Sequence, residues 1–163
     1  MKITCSMSEE IPIRSFGVSV IVLKTTSQST TVLLLKRAEP FLNGEWCQIA
    51  GGIERGERAW ETALRELKEE TGLTPYALYS ADICEQFYEV DKECISIFPV
   101  FVAFVDSNSE ILLNEEHSEY RWMTVQEAEA LLPFPGQRHI LRHIQSQFID
   151  RKPLEHLRIS LPV

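Results

Sequence analysis

Residues 51–73 read Gly51-Gly-Ile-Glu-Arg-Gly-Glu-Arg-Ala-Trp-Glu-Thr-Ala-Leu-Arg-Glu-Leu-Lys-Glu-Glu-Thr-Gly-Leu73, a glycine-rich loop running into a helix that crowds three carboxylates near its C-terminal end. On an α-helix Glu66, Glu69 and Glu70 stand at i, i+3 and i+4, so their side chains share one face within roughly 5–6 Å of each other. At ~100° per residue, Trp60, Ala63, Leu64 and Leu67 fall on a separate face. One face is set to pack and its neighbour to coordinate. The placement runs against ordinary helix energetics, because the macrodipole disfavours anions near a C-terminus and like charges at i, i+4 repel by about 0.2–0.5 kcal/mol per pair. A hard cation such as Mg²⁺, which takes carboxylate oxygens together with substrate phosphates, would offset that repulsion.

The spacing Gly51, five residues, Glu57, seven residues, Arg65-Glu66-Leu67, one residue, Glu69-Glu70, one residue, Gly72-Leu73 resembles a complete Nudix box, with every defining position filled. The resemblance implies hydrolysis of a nucleoside diphosphate linked to another group, using Mg²⁺ or Mn²⁺, and an α/β fold in which a central mixed β-sheet is sandwiched between helices. It also implies that Gly51 offers its carbonyl to the metal beside Glu66, Glu69 and Glu70. Glu57 is expected to open the helix and to join the metal shell. Gly51 and Gly52 are expected to let the backbone turn sharply, Arg65 to orient a box glutamate by ion pairing, and Gly72 to close the helix. Many relatives have proline before the glycine pair; here it is Ala50.

The rest of the chain is consistent with one such domain over residues 1–163. Its 163 residues and 44 % apolar content suit a single core. A net charge of -8 and a pI near 5.0 argue against a nucleic-acid partner, which usually meets a basic patch. Cys5, Cys47, Cys84 and Cys94 form no C-x-x-C pair, which speaks against a zinc or redox motif and for reduced thiols. No signal peptide is visible and no apolar run approaches the ~20 residues of a membrane span. The expectation is a cytoplasmic protein, monomer or homodimer, whose partner is a small nucleotide.

Two β-branched runs, Phe16 to Leu23 and Val32 to Leu35, flank the polar stretch Thr25 to Thr31 and read as strands joined by a turn. The second ends in Lys36-Arg37, whose Arg37 is placed to reach a phosphate or nucleotide. Trp46, five residues ahead of Gly51, either flanks the substrate or packs. Asp82 to Val90 and Cys94 to Val105 read as further strands turned by Asp91-Lys92, the second central and buried, with Pro99 demanding a bulge or an edge.

The second informative stretch is Asn114-Glu-Glu-His-Ser-Glu-Tyr-Arg-Trp122. Glu116-His117 resembles an E-H dipeptide found in Nudix subgroups acting on nucleoside triphosphates, dihydroneopterin triphosphate or diadenosine polyphosphates. By that resemblance Glu116 would bind a further metal or act as base, and His117 would contact phosphate. Glu69 and Glu116 are the two candidates for the catalytic base. The lead substrate is a (deoxy)nucleoside triphosphate or dihydroneopterin triphosphate cleaved to monophosphate and pyrophosphate, with a diadenosine polyphosphate as the alternative. A non-catalytic nucleotide sensor ranks below these, since such relatives usually lose box glutamates. The isomerase branch of the family employs a catalytic cysteine, but around Cys47 nothing else matches and a buried thiol is the plainer account.

Thr124-Val-Gln-Glu127 reads as a capping box opening a helix that Pro133 stops. Ile140, Leu141, Ile144 and Phe148 recur at helical spacing and predict a last helix docked on the sheet. His139 and His143 share i, i+4 spacing but lack the glutamate of an H-E-x-x-H site, so both are expected to face solvent.

Overall fold

The computed structural model describes residues 10–162, so the N-terminal reading and Cys5 lie outside the described residues. Among the described residues nine strands form one mixed sheet. In chain order they are β1 (Ile13–Arg14), β2 (Gly17–Thr25), β3 (Thr30–Arg37), β4 (Trp46–Cys47), β5 (Ile49–Gly52), β6 (Ala77–Glu89), β7 (Cys94–Val105), β8 (His117–Met123) and β9 (Arg158–Ile159). The main path runs β4-β3-β2-β7-β6-β9, with β1 on β7, β5 on β2 and β8 on β3. β2 lies parallel to β7 while β3 and β5 run antiparallel to β2. The helices are α1 (Ala59–Thr71), α2 (Val125–Leu131) and α3 (Pro135–Ile144), the last continuing into a π-helical turn, Gln145–Ile149.

Period-2 alternation divides the core between the two faces of the sheet. Val18, Val20 and Val22 of β2 join Leu33, Leu35, Phe101 and Ala103 under α1, whose Ala63 and Leu67 are fully covered. Ile21 and Leu23 point the other way and meet Ile140, Leu141, Ile144 and Phe148 of the α3 segment. Fully burying each such Leu or Ile contributes about 1.5–3 kcal/mol, so the order helix, sheet, helix follows from the pattern of the central strands. At Thr124 the expected capping box is present, with its hydroxyl accepting from the Glu127 N–H at 3.3 Å.

Two local readings change and a third is narrowed. β6 starts at Ala77, five residues before Asp82, because Asp82 takes φ 55° and the β6–β7 register shifts between Ser80 and Cys84. That irregularity breaks the alternation from which the strand start was read. Pro99 sits opposite Cys84 at the end of the shifted stretch, inside β7 rather than at an edge, so of the two expectations the bulge is the one realised. His143 does not face solvent: its Nε2 lies 2.7 Å from the Ala81 carbonyl, an acceptor freed by the same bulge, whereas His139 is exposed.

Candidate active site

The site is assembled at the meeting of β5, α1 and the segment before β8. Gly51 and Gly52 pair with Val18 and Gly17 as the end of β5, and neither has positive φ. They do not make the sharp turn expected of them. Gly51 is required for space: a Cβ built there would stand 2.0 Å from the Glu66 carboxyl carbon. The backbone of β5 therefore lies directly against the Glu66 head group. The sharp turn is at Gly56, φ 90°, where the chain leaves for the helix.

Glu57 precedes the helix by two residues rather than opening it, since α1 starts at Ala59 behind Arg58, whose N–H donates to Glu61 at 2.7 Å. Glu57 accepts from the Glu54 N–H, the Thr62 hydroxyl and Arg65. The Arg65 bond, then those from Glu54 and Thr62, hold its carboxyl down to about 2. Arg65 is the organising residue. Its Nε donates to Glu57 at 2.7 Å, Nη1 to Glu66 at 2.7 Å and to Glu69 at 3.2 Å, and Nη2 to the Gly52 carbonyl at 2.8 Å. A planar fork can serve so many acceptors at fixed angles where an ammonium could not. At the far end Gly72, φ 72°, closes α1 by donating to the Lys68 carbonyl.

Glu70 departs from the sequence reading. It is 3 % exposed, not on an open coordinating face. The segment from Ile111 to His117 covers it, tied to the helix end by Leu112 N–H to the Thr71 carbonyl and Asn114 N–H to the Glu70 carbonyl. Asn114 Oδ1 accepts from the Glu116 N–H and faces His117 Nδ1 at 3.2 Å, which directs Nε2 toward Glu70 Oε2 at 3.6 Å and Cys47 Sγ at 4.0 Å. Burial, then the charges of Glu66 and Glu116, push the Glu70 carboxyl up to about 9. Burial and the Arg37 charge push His117 down. Both shifts disfavour the charged forms, so the contact gains little as an ion pair. Burial, with Glu69 and Glu116 adding to it against Arg65, also raises Glu66.

This donor set fits a divalent cation: the shielded carboxylates of Glu66 and Glu70 share the helix end with exposed Glu69 and Glu116, next to backbone that has no Cβ. As they stand, no three such side chains among the described residues converge on one point. Arg65 draws Glu66 and Glu69 to its guanidinium and Glu70 is turned toward His117.

Of the expected substrate contacts, Arg37 lines a cavity beside the site, with Nε donating to the Phe41 carbonyl at 3.0 Å and Nη2 paired with Glu39 at 3.1 Å. Trp46 lines the same cavity but is 8 % exposed, with Lys36 and Arg121 over its ring. It is a wall, not an open stacking face. The His117 side chain is 3 % exposed and turned inward, so a phosphate contact would require it to move. Sequence reading missed a second buried polar group: Glu85 accepts from Ser19, from Gln48 at 3.0 Å and from Gln137 at 3.1 Å. Its one sequence signal was a carboxylate two residues from both Ile83 and Phe87, on the same face of a strand.

A model of the NUDIX domain matches residues 14–144. The chain belongs to that family. It is a Nudix pyrophosphohydrolase, and enzymes of this family generally use divalent metals. The Escherichia coli nucleoside triphosphatase NudI is 32 % identical over 114 residues, spanning 63 % of this chain and 79 % of NudI. An octanoyltransferase of Myxococcus xanthus is also 32 % identical, over 127 residues; the match spans 77 % of this chain but 35 % of that protein. A Caenorhabditis elegans Ap4A hydrolase in a binary complex shares the fold, with a TM-score of 0.69 at 21 % identity over 80 % of this chain and 94 % of that one. No helix among the described residues is long and apolar enough to cross a membrane.

Proposed function

We propose that this Nudix hydrolase cleaves a (deoxy)nucleoside triphosphate or dihydroneopterin triphosphate to the monophosphate and pyrophosphate, with Mg²⁺ or Mn²⁺. The observation that carries the reading is the docking of the Glu116-His117 segment on the carboxylate end of α1, which adds Glu116 to the box glutamates at one site. The likeness to a nucleoside triphosphatase supports it. Glu66, Glu69, Glu70 and the Gly51 carbonyl would hold the metal, with Glu116 at its margin. Bound there, the cation supplies charge neutralisation on the phosphate chain.

The chain's own residues divide the remaining work. Glu69, whose side chain is 55 % exposed, and Glu116, also exposed, are the carboxylates open to solvent and hence the two that can take a proton from water. Arg65 keeps Glu57 and Glu66 at fixed angles, and Asn114 sets the His117 ring behind Glu70. Arg37, on the wall of the neighbouring cavity, is positioned for the substrate's phosphate or sugar.

The same docked segment suits a diadenosine polyphosphate as the alternative. The two are separated by incubating the protein and Mg²⁺ with deoxynucleoside triphosphates, dihydroneopterin triphosphate and diadenosine tetraphosphate. Pyrophosphate released from a triphosphate is the expected result. ATP plus AMP from the dinucleotide, with triphosphates untouched, would overturn the lead in favour of the alternative, and nucleotide binding without turnover would favour a sensor.

A further inference from the structure

We propose that Glu85, Gln48 and Gln137 form a ring-recognition site that selects a 2-amino-4-oxopyrimidine edge, as in guanine or a pterin. The inference rests on the triphosphate reading above and narrows it. The three residues come from different elements, β6, the β4–β5 junction and α3, and line a cavity of about 150 Å³ together with Phe87, Phe98 and Phe134. Ala50, Phe87, Phe98 and Phe134 also border the groove over Gly51 and Gly52. The cavity thus shares a wall with the groove beside the proposed metal-binding end of the site rather than lying on a separate surface.

The hydrogen bonding is incomplete in one direction. Glu85 Oε2 accepts from Ser19 Oγ and Gln48 Nε2, and Oε1 accepts from Gln137 Nε2. A carboxylate has about four acceptor positions, so one on Oε1 is unspent. Gln48 Oε1 and Gln137 Oε1 are buried and have no partner. The amide orientations follow from the carboxylate, because turning either one round would set its oxygen against Glu85. Gln48 is 4 % exposed, deep enough that an orphaned acceptor is costly. The unmet demand is therefore for donors, at several adjacent points, between aromatic walls suited to a flat ring.

Ring chemistry then discriminates. Guanine and pterins present a ring N–H beside an exocyclic amine, two adjacent donors. Adenine and cytosine set their amine beside a ring acceptor, and thymine and uracil flank a single N–H with carbonyls. A site built of unpaired acceptors favours the first edge and penalises the others, since each mismatch leaves a buried oxygen unpaired.

Calorimetric binding of GMP and IMP, which differ only in the 2-amino group, tests this without hydrolysis. GMP is expected to bind at least about tenfold more tightly, and Glu85→Gln to bring the two affinities together. Equal affinities for wild type, binding of neither, or a Glu85→Gln protein that keeps the wild-type ratio would overturn the proposal. A change in thermal midpoint alone, with the ratio intact, would mean that Glu85 is only structural. The wild-type comparison needs no variant, so a Glu85→Gln chain that failed to fold would leave the test standing. Turnover of dGTP against dihydroneopterin triphosphate assigns the ring to a purine or a pterin. Selective GMP binding with no triphosphate turnover would keep this site and remove the hydrolytic reading instead.

Discussion

Gly51 has no room for a methyl group, and that fact joins the strand to the proposed metal site. A Cβ at Gly51 would overlap the Glu66 carboxyl group, so Gly51→Ala must displace Glu66 from its place beside Arg65. The expected result is a folded protein whose Mg²⁺ affinity, measured by calorimetry, falls on the order of 10–100-fold; affinity equal to wild type would show that Glu66 is not held through this contact. Cys47 gives a second test. Burial, then the Glu70 charge, pushes its thiol up to about 12 against an ordinary value of 9.0. The thiol stays protonated through pH 8, and only as pH climbs between those values does the unfolded chain release a proton that the folded one keeps, lowering stability. Iodoacetamide at pH 8 should therefore label exposed Cys84 and spare Cys47 by mass spectrometry. Rapid labelling of native Cys47 would contradict the burial described.

At the scale of elements, the capped ends of α1 hold the site together. Gly72 ends the helix at φ 72°, and a Cβ there would stand 3.4 Å from Leu112 Cβ, in the segment that covers Glu70. Gly72→Ala should cost about 1–2 kcal/mol for the left-handed conformation, read from urea denaturation, and an unchanged midpoint would contradict it. The helix, its carboxylate spacing, the capping box at Thr124 and the central β7 were legible in the sequence because each is a local pattern of a few turns or one strand. The burial of Glu70 was not legible because its cover comes from Ile111 to His117, some forty residues on, and a helical wheel knows nothing of what packs on it. The start of β6 and the role of His143 were hidden for a related reason: both depend on an irregularity at Asp82 that has no composition signal.

Across the whole molecule, β2 and β7 run parallel at the centre, with α1 on one side of the sheet and α3 on the other. This brings together groups that the chain keeps far apart. Gln48, Glu85 and Gln137 are separated by 37 and 52 residues, which is why no motif announced them while the contiguous box was plain. The resulting division of labour is concrete: the α1 side carries the carboxylates and the α3 side supplies Gln137 and Phe134 to the neighbouring cavity. The proposed Mg²⁺-dependent pyrophosphate release by the box carboxylates is tested most directly by triphosphate turnover of wild type and a Glu69→Gln/Glu70→Gln protein, each with Mg²⁺ and with EDTA. Pyrophosphate is expected from wild type with Mg²⁺ only, and the folded double variant is expected to be slowed by at least roughly 10²–10⁴-fold. A double variant that kept full Mg²⁺-dependent turnover would contradict it.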